Sequence, residues 1–167
     1  MRVLIPGGAG YVGSVLTPWL LAAGHKVTVY DKFWFGSGGL PDNGSLTVIN
    51  ADVRDRDAFA KACEGQEAVI YLAGITSNDL CVREPELAES VNIKATIYAP
   101  EIAKAAGVKR YIYASSVAGY AGGDTPAKET QALGHPTPYA LGKLCGEGAL
   151  SGFTNSVIVP ATRPENE

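Results

Sequence analysis

Short apolar runs alternate along this chain with longer stretches in which apolar residues recur every three or four positions. The short runs predict strands at residues 3–6, 26–30, 46–50, 68–72, 110–115 and 156–159. The second of these, Lys-Val-Thr-Val-Tyr, is β-branched and aromatic. The longer stretches predict helices at 12–23, 55–63, 85–106 and 139–150, with glycines at 24, 65 and 107 closing the first three. Residues 33–44, rich in Gly, Pro, Asn and aromatic side chains, read as a loop. Pro100 falls inside the long third helix, where its missing N–H and its ring predict a kink or a break. Strands alternating with helices of this length predict a parallel sheet covered on both faces.

The totals narrow the picture further. A chain of 167 residues suits one domain, 1–167, and ~150 residues bury roughly two-thirds of the unfolded surface, enough for a real core. A net charge of −3 with scattered Lys and Arg offers no basic footprint, so neither nucleic acid nor a membrane surface is expected as a partner. Cys63, Cys81 and Cys145 are odd in number and far apart, and no CxxC or His-rich spacing predicts a metal site. Met1 leads directly into the first strand without a basic leader and cleavage site, and no apolar run is long enough to cross a bilayer. Reduced thiols and a cytoplasmic location are the expectation.

Between the first strand and the first helix lies IPGGAGYVGS, with Gly7, Gly10 and Gly13 at three-residue spacing. Glycine allows backbone angles and close approach that a Cβ forbids, and a helix N-terminus offers free N–H groups and partial positive charge to a phosphate. A glycine-rich turn without a ligand is the plainer alternative. Asp31 ends the second strand, eighteen residues after Gly13. In a dinucleotide fold an acid at about this distance accepts bonds from ribose hydroxyls and repels the extra phosphate of NADP. The neighbouring Lys32 would tolerate that phosphate, so the choice stays open at this point. Asp52-Val53 after the third strand either meets an adenine, the acid accepting from its amino group, or supplies a helix cap, for which Asp52 and Asp55 both qualify. Leu72, Ala73 and Gly74 leave the fourth strand as small residues against which a cofactor can lie, or as a plain strand exit.

Tyr139 and Lys143 stand four apart on a predicted helix and share one face. An ammonium held beside a phenol favours the phenolate, which makes Tyr139 a candidate acid/base. Such a pair is common on surface helices, but here it follows a dinucleotide pattern and a strand-end pair, Ser115-Ser116, whose hydroxyls can bond a reacting oxygen. Thr76, Ser77 and Asn78 follow the fourth strand at the end where open α/β sheets bind ligands, and are candidate substrate contacts. His25 and His135 stand alone in loops, and Phe33, Trp34 and Phe35 either cover a cofactor or pack their own loop.

The stretches GGAGYVGS, YDK, ADVRD, YLAG, VNIKAT, YASSVAGY and PYALGKLCGE together resemble the NAD-dependent epimerase/dehydratase family of extended short-chain dehydrogenases/reductases, the group that includes UDP-glucose 4-epimerase. The resemblance covers residues 1 to about 150. It implies a Rossmann-type, doubly wound parallel sheet in three α/β/α layers, strand order 3-2-1-4-5-6, with NAD as cofactor and NADP the less expected one. It implies that Gly7, Gly10, Tyr11, Val12 and Gly13 meet the pyrophosphate, that Asp31 and Lys32 lie at the adenosine ribose, that Asp52 and Val53 meet adenine, and that Leu72, Ala73 and Gly74 line the cofactor path. Ser116, four before Tyr120, takes the position of the catalytic hydroxyl. Tyr139 takes that of the acid/base, Lys143 that of the nicotinamide-ribose ligand, and Asn92 the place beside them in VN. The implied activity is oxidation of a sugar-nucleotide carbon to a keto intermediate that is then epimerised, dehydrated or released. The implied assembly is a homodimer through the helices at 88–106 and 139–150.

Two departures temper this. Family members usually continue for well over a hundred further residues, which form most of the sugar-nucleotide site, so a chain ending at Glu167 is expected to lack that lobe. A truncated cofactor half, a minimal reductase and a dinucleotide-binding protein without turnover all remain open. Gly119 also stands where a larger apolar residue is common.

Overall fold

The computed structural model describes residues 1–36, 39–120, 136–150, 153 and 155–161. Six parallel strands form one sheet in the order β3-β2-β1-β4-β5-β6. They are β1 (Arg2–Pro6), β2 (Lys26–Asp31), β3 (Leu46–Asn50), β4 (Ala68–Tyr71), β5 (Arg110–Ser116) and β6 (Ser156–Ala161). The helices are α1 (Tyr11–Ala22), α2 (Arg56–Cys63), α3 (Asn78–Arg83), α4 (Pro85–Ala88), α5 (Ala95–Ala105) and α6 (Pro138–Ala149).

Alternation along the strands sorts side chains into two layers. Leu4, Tyr30, Val69, Tyr71, Tyr111 and Tyr113 face one side, where Phe59 of α2 and Ala99 and Ala103 of α5 close over them. Four tyrosines with Phe59 and Phe153 make this layer aromatic, Tyr30 and Phe59 meeting edge to face at 5.7 Å. Val3, Ile5, Val27, Val29 and Ala68 face the other side, against Leu21 of α1. Val157 and Val159 on β6 remain about half exposed, so the described helices leave part of that strand bare.

The predicted helix at 85–106 is three pieces. α4 runs into a widened π-helical turn, Glu89–Lys94, and then into α5. The expected break at Pro100 is absent: α5 continues through it, and the irregular turn lies upstream. The cause is Asn92, whose side chain is committed to the backbone of Ile75 and whose turn is pressed by α6. Helix α3 lies outside the predicted helices because Asn78–Arg83 is only six residues long and mostly exposed, with only Cys81 buried. Among the described residues no helix is long and apolar enough to cross a membrane, and no group of three His, Cys, Asp or Glu is placed to hold a metal. All three cysteines are free. His135 lies outside the described residues. His25 Nδ1 sits 3.2 Å from the N-terminal amine, a structural contact.

Candidate functional site

The chain's direction reverses across the sheet between β1 and β4, which places a crevice at the carboxyl ends of those strands. Gly7 leaves β1 there with φ +81°, and a Cβ on it would lie 2.5 Å from the Ala73 backbone nitrogen. The glycine loop and the Ala73-Gly74 exit of β4 therefore touch backbone to backbone, and only glycine at position 7 permits both the angle and the contact. Gly13, inside α1, backs onto the Gly8 backbone, so the helix starts close against the loop. Gly10 caps α1 without a side-chain bond, and Tyr11 and Val12 in the first turn are exposed. The free N–H groups of that turn face outward toward any anion laid on the loop.

Asp31 ties this loop to the next. Its carboxylate accepts from Ala9 N–H at 3.0 Å and from Phe33 N–H at 2.7 Å, the latter just past β2. Lys32 is exposed beside it. Phe33 packs into the α1-side core, whereas Trp34 and Phe35 are exposed. Asp55, not Asp52, caps α2, accepting from Ala58 N–H at 3.0 Å. Asp52 is held instead by Arg54 at 2.6 Å, which keeps its carboxyl below the usual carboxylate range.

The second cluster gathers on β5 and α6. Lys143 is buried and its Nζ donates to the Ala114 carbonyl at 2.9 Å, two residues before Ser116. The same Nζ lies 5.1 Å from the Tyr113 ring centre and 5.8 Å from that of Tyr139. A Cβ on Gly74 would come within 3.6 Å of that Nζ and 3.2 Å of Asn92 Oδ1, so Gly74, Asn92 and Lys143 meet at one point. Buried Asn92 accepts from Ile75 N–H at 2.8 Å and donates to Ile75 C=O at 2.9 Å. Tyr139 is partly buried and packs against the cluster formed by Ile75, Cys81, Ala88 and Val91. Ser116 Oγ accepts from Ala118 N–H at 3.2 Å and opens the short 3-10 turn Val117–Gly119. Of the three candidate substrate contacts, Ser77 caps α3, accepting from Leu80 N–H at 3.2 Å, Asn78 is the first residue of that helix, and Thr76 is exposed ahead of it.

A family model for the NAD dependent epimerase/dehydratase family matches residues 3–162. The chain belongs to that family. A similar curated protein is the UDP-glucose 4-epimerase of Mycolicibacterium smegmatis, 32% identical over 162 residues that make up 93% of this chain and 52% of that one. Among solved structures, the Thermus thermophilus UDP-glucose 4-epimerase in complex with NAD superposes with a TM-score of 0.86 at 28% identity, over 96% of this chain and 54% of that one. The Bordetella bronchiseptica enzyme WbmG in complex with NAD and UDP gives 0.84 at 28% identity, over 96% and 52%. The chain thus spans about half the length of the relatives it matches.

Within the family frame, several residues escaped the sequence reading. Glu147 of α6 accepts from Ser115, which takes that hydroxyl of the strand-end pair away from a reacting oxygen and ties the strand end to the helix that carries Tyr139 and Lys143. Gly142 and Gly146 let α6 lie close: a Cβ on Gly142 would be 2.7 Å from Asn92 Cβ, and one on Gly146 would enter the Tyr113 ring. The four-residue spacing of these glycines, between Tyr139 and Glu147, was the available signal. Gly119 has its reason here too, since a Cβ would sit 3.2 Å from Leu144 of α6.

Burial pulls the Lys143 ammonium from the ordinary 10.5 down to about 8. Between those values the folded chain binds fewer protons than the unfolded one at this residue, so stability rises with pH there. The cost of the buried charge is fully present below about 8 and is relieved as pH climbs through the window. Denaturant unfolding of the native chain and of Lys143→Met should therefore show the native chain gaining on the variant from about pH 8 to 10. The comparison cancels buried Cys63, pushed up to about 12, and the core tyrosines, whose effects run the other way. A difference that does not change with pH would mean the ammonium is solvated.

Proposed function

We propose that the chain binds NAD across the β1–β4 crevice and acts on a sugar nucleotide as an NAD-dependent epimerase/dehydratase-like oxidoreductase, by way of a keto intermediate. The observation that carries this reading is the meeting of Gly74, Asn92 and Lys143 at the end of the crevice opposite Asp31 and Asp52, with Ser116 close by on β5. The residues fit the cofactor. Gly7 and Gly13 let the loop close tightly against the Ala73 and Gly8 backbones, and the first turn of α1, with Gly10 as its cap and Tyr11 and Val12 in it, presents open N–H groups to a pyrophosphate. Asp31 takes the adenosine ribose hydroxyls, and its fixed carboxylate repels a phosphate there, which favours NAD over NADP. Lys32 is exposed beside it and lowers the Asp52 carboxyl only as a remote charge. Asp52 and Val53 take adenine, while Leu72, Ala73 and Gly74 line the path to the nicotinamide.

Bound NAD would supply the hydride acceptor and donor. Tyr139 accepts the proton of the substrate hydroxyl and returns it. The Ser116 hydroxyl donates to the same oxygen. Lys143, anchored on Ala114 C=O, holds the nicotinamide ribose with its remaining N–H donors. Asn92 keeps the π turn and the β4 exit in register. Thr76, Ser77 and Asn78 border the substrate side. Ile97 on α5 and Leu141 on α6 are 44% and 45% exposed, and these two apolar positions support a homodimer through those helices.

Cofactor binding without turnover is the second reading, supported by the glycine loop and Asp31 being tied together within β1, α1 and β2 alone. NADH titration, followed by nicotinamide fluorescence, tests what both readings share. The native chain is expected to saturate, and Gly10→Asp to bind at least about tenfold more weakly. Gly10 has φ −76°, so aspartate is conformationally allowed there and serves as a helix cap. Its Cβ would lie 3.2 Å from the Gly7 carbonyl oxygen, a contact the loop must ease, so the melting temperature is measured beside the affinity; the carboxylate stands where the pyrophosphate belongs. No saturation by the native chain would end the cofactor reading.

A further inference from the structure

At the exit of β3 the Asp52 carboxylate is clasped by the residue two positions on. Oδ1 accepts from Arg54 N–H and from Arg54 Nε–H, both at 2.9 Å, and Oδ2 accepts from Arg54 Nη2–H at 2.6 Å. A carboxylate has about four acceptor positions, so these bonds leave one open, on Oδ2. The backbone beneath is pinned from two sides. Tyr30 of β2 donates its hydroxyl to Asp52 C=O at 2.8 Å, and Tyr98 of α5 donates to Val53 C=O at 3.0 Å. Arg56 in turn lies over the Tyr98 ring at 4.6 Å.

We propose that Arg54 is a positioning residue that makes Asp52 a single-bond reader of the adenine amino group, so that the pair selects adenine over hypoxanthine in a nicotinamide dinucleotide. This rests on the cofactor reading above. Stability gives Arg54 little reason to be there: its side chain is 40% exposed, and surface pairs of this kind contribute almost nothing to folding. Its effect is on aim. A free aspartate rotates about its terminal torsion and offers either oxygen to water, whereas the planar guanidinium fork fixes the carboxylate plane. The one remaining lone pair then accepts a donor from a single direction. Adenine presents an N–H₂ there. Hypoxanthine presents a carbonyl oxygen, which faces a carboxylate with no proton between them and is rejected.

The test is a fluorescence titration of the full chain with NADH and with reduced nicotinamide hypoxanthine dinucleotide, for the native protein, Arg54→Met and Arg54→Lys. The native chain is expected to prefer NADH by about tenfold, the weight of one charge-assisted hydrogen bond. Arg54→Met should lose most of that preference through weaker NADH binding, with the hypoxanthine dinucleotide and the melting temperature unchanged. Arg54→Lys restores the charge but not the fork, and should not restore the preference. An unchanged preference in Arg54→Met would overturn the inference. So would tighter NADH binding by that variant, since Arg54 would then be competing with adenine, and so would full rescue by lysine, which would leave charge as the only requirement. If the native chain binds neither dinucleotide, the cofactor reading itself falls and takes this inference with it. Saturable NADH binding with no base preference would remove the inference alone.

Discussion

Replacing Tyr139 by phenylalanine is expected to lower turnover by about 10²- to 10⁴-fold, the usual contribution of a positioned acid/base, while leaving NADH affinity within about twofold. The substitution is clean because of where the ring sits. Tyr139 packs, partly buried, against the cluster of Ile75, Cys81, Ala88 and Val91, and phenylalanine keeps the ring that makes this packing. Thr137 still caps α6 through its bond from Ala140 N–H at 3.2 Å. Only the hydroxyl is lost, so fold and cofactor site have no reason to change. The measurement is the initial rate of nicotinamide reduction or sugar epimerisation over a panel of UDP-sugars, beside an NADH titration of the same preparation. A native chain that turns over and a variant that does not would place the chemistry at Tyr139. Equal rates would remove it from the reaction. A native chain that binds NADH tightly yet transforms no sugar nucleotide would favour the binding reading, and Tyr139 would then be a surviving feature of an enzyme ancestor.

The sheet was legible in the sequence because each strand is a short β-branched or aromatic run bounded by a turn residue. β3 falls at 46–50 as expected, and β1 and β2 are each one residue longer than predicted. The place of the glycine loop between β1 and α1, and of Asp31 at the end of β2, follows from residue type and spacing in the same way. What the sequence did not show are features that depend on a partner distant along the chain. Asn92 widens its helix because Ile75, seventeen residues away, takes both ends of its amide. The proline at 100 therefore drew attention that belonged upstream. α3 is too short to show a helical period, and it is held by a serine cap and one buried cysteine. Asp52 and Asp55 could not be told apart by type; the helix start at Arg56 decides between them, leaving Asp52 to Arg54.

The distance between α6 and β5 is the other property that local pattern hides, and Gly146 sets it. Gly146→Val is expected to cost about 3 kcal/mol, at the upper end for overpacking a core. The new side chain would meet Cζ, Cε1 and the hydroxyl oxygen of Tyr113, a residue only 2% exposed whose ring lies tilted against that of Tyr71, 6.1 Å away. The ring cannot swing aside without displacing Tyr71, and the helix cannot lift without pulling Lys143 off Ala114 C=O and Glu147 off Ser115. All three atoms in conflict lie at the far end of the tyrosine, which leucine lacks. Among the described residues the Tyr113 hydroxyl has no hydrogen-bond partner, so its removal breaks no bond there. Tyr113→Leu alone should destabilise by leaving a cavity of similar cost. In the double variant the valine occupies that cavity, and the two changes should cost at least about 1 kcal/mol less together than their sum, a coupling expected only of residues in contact. Denaturant unfolding of the four proteins measures it. Strict additivity would mean that α6 and β5 stand farther apart than this geometry has them, and Lys143 could not then be held between the two elements that the proposed chemistry requires.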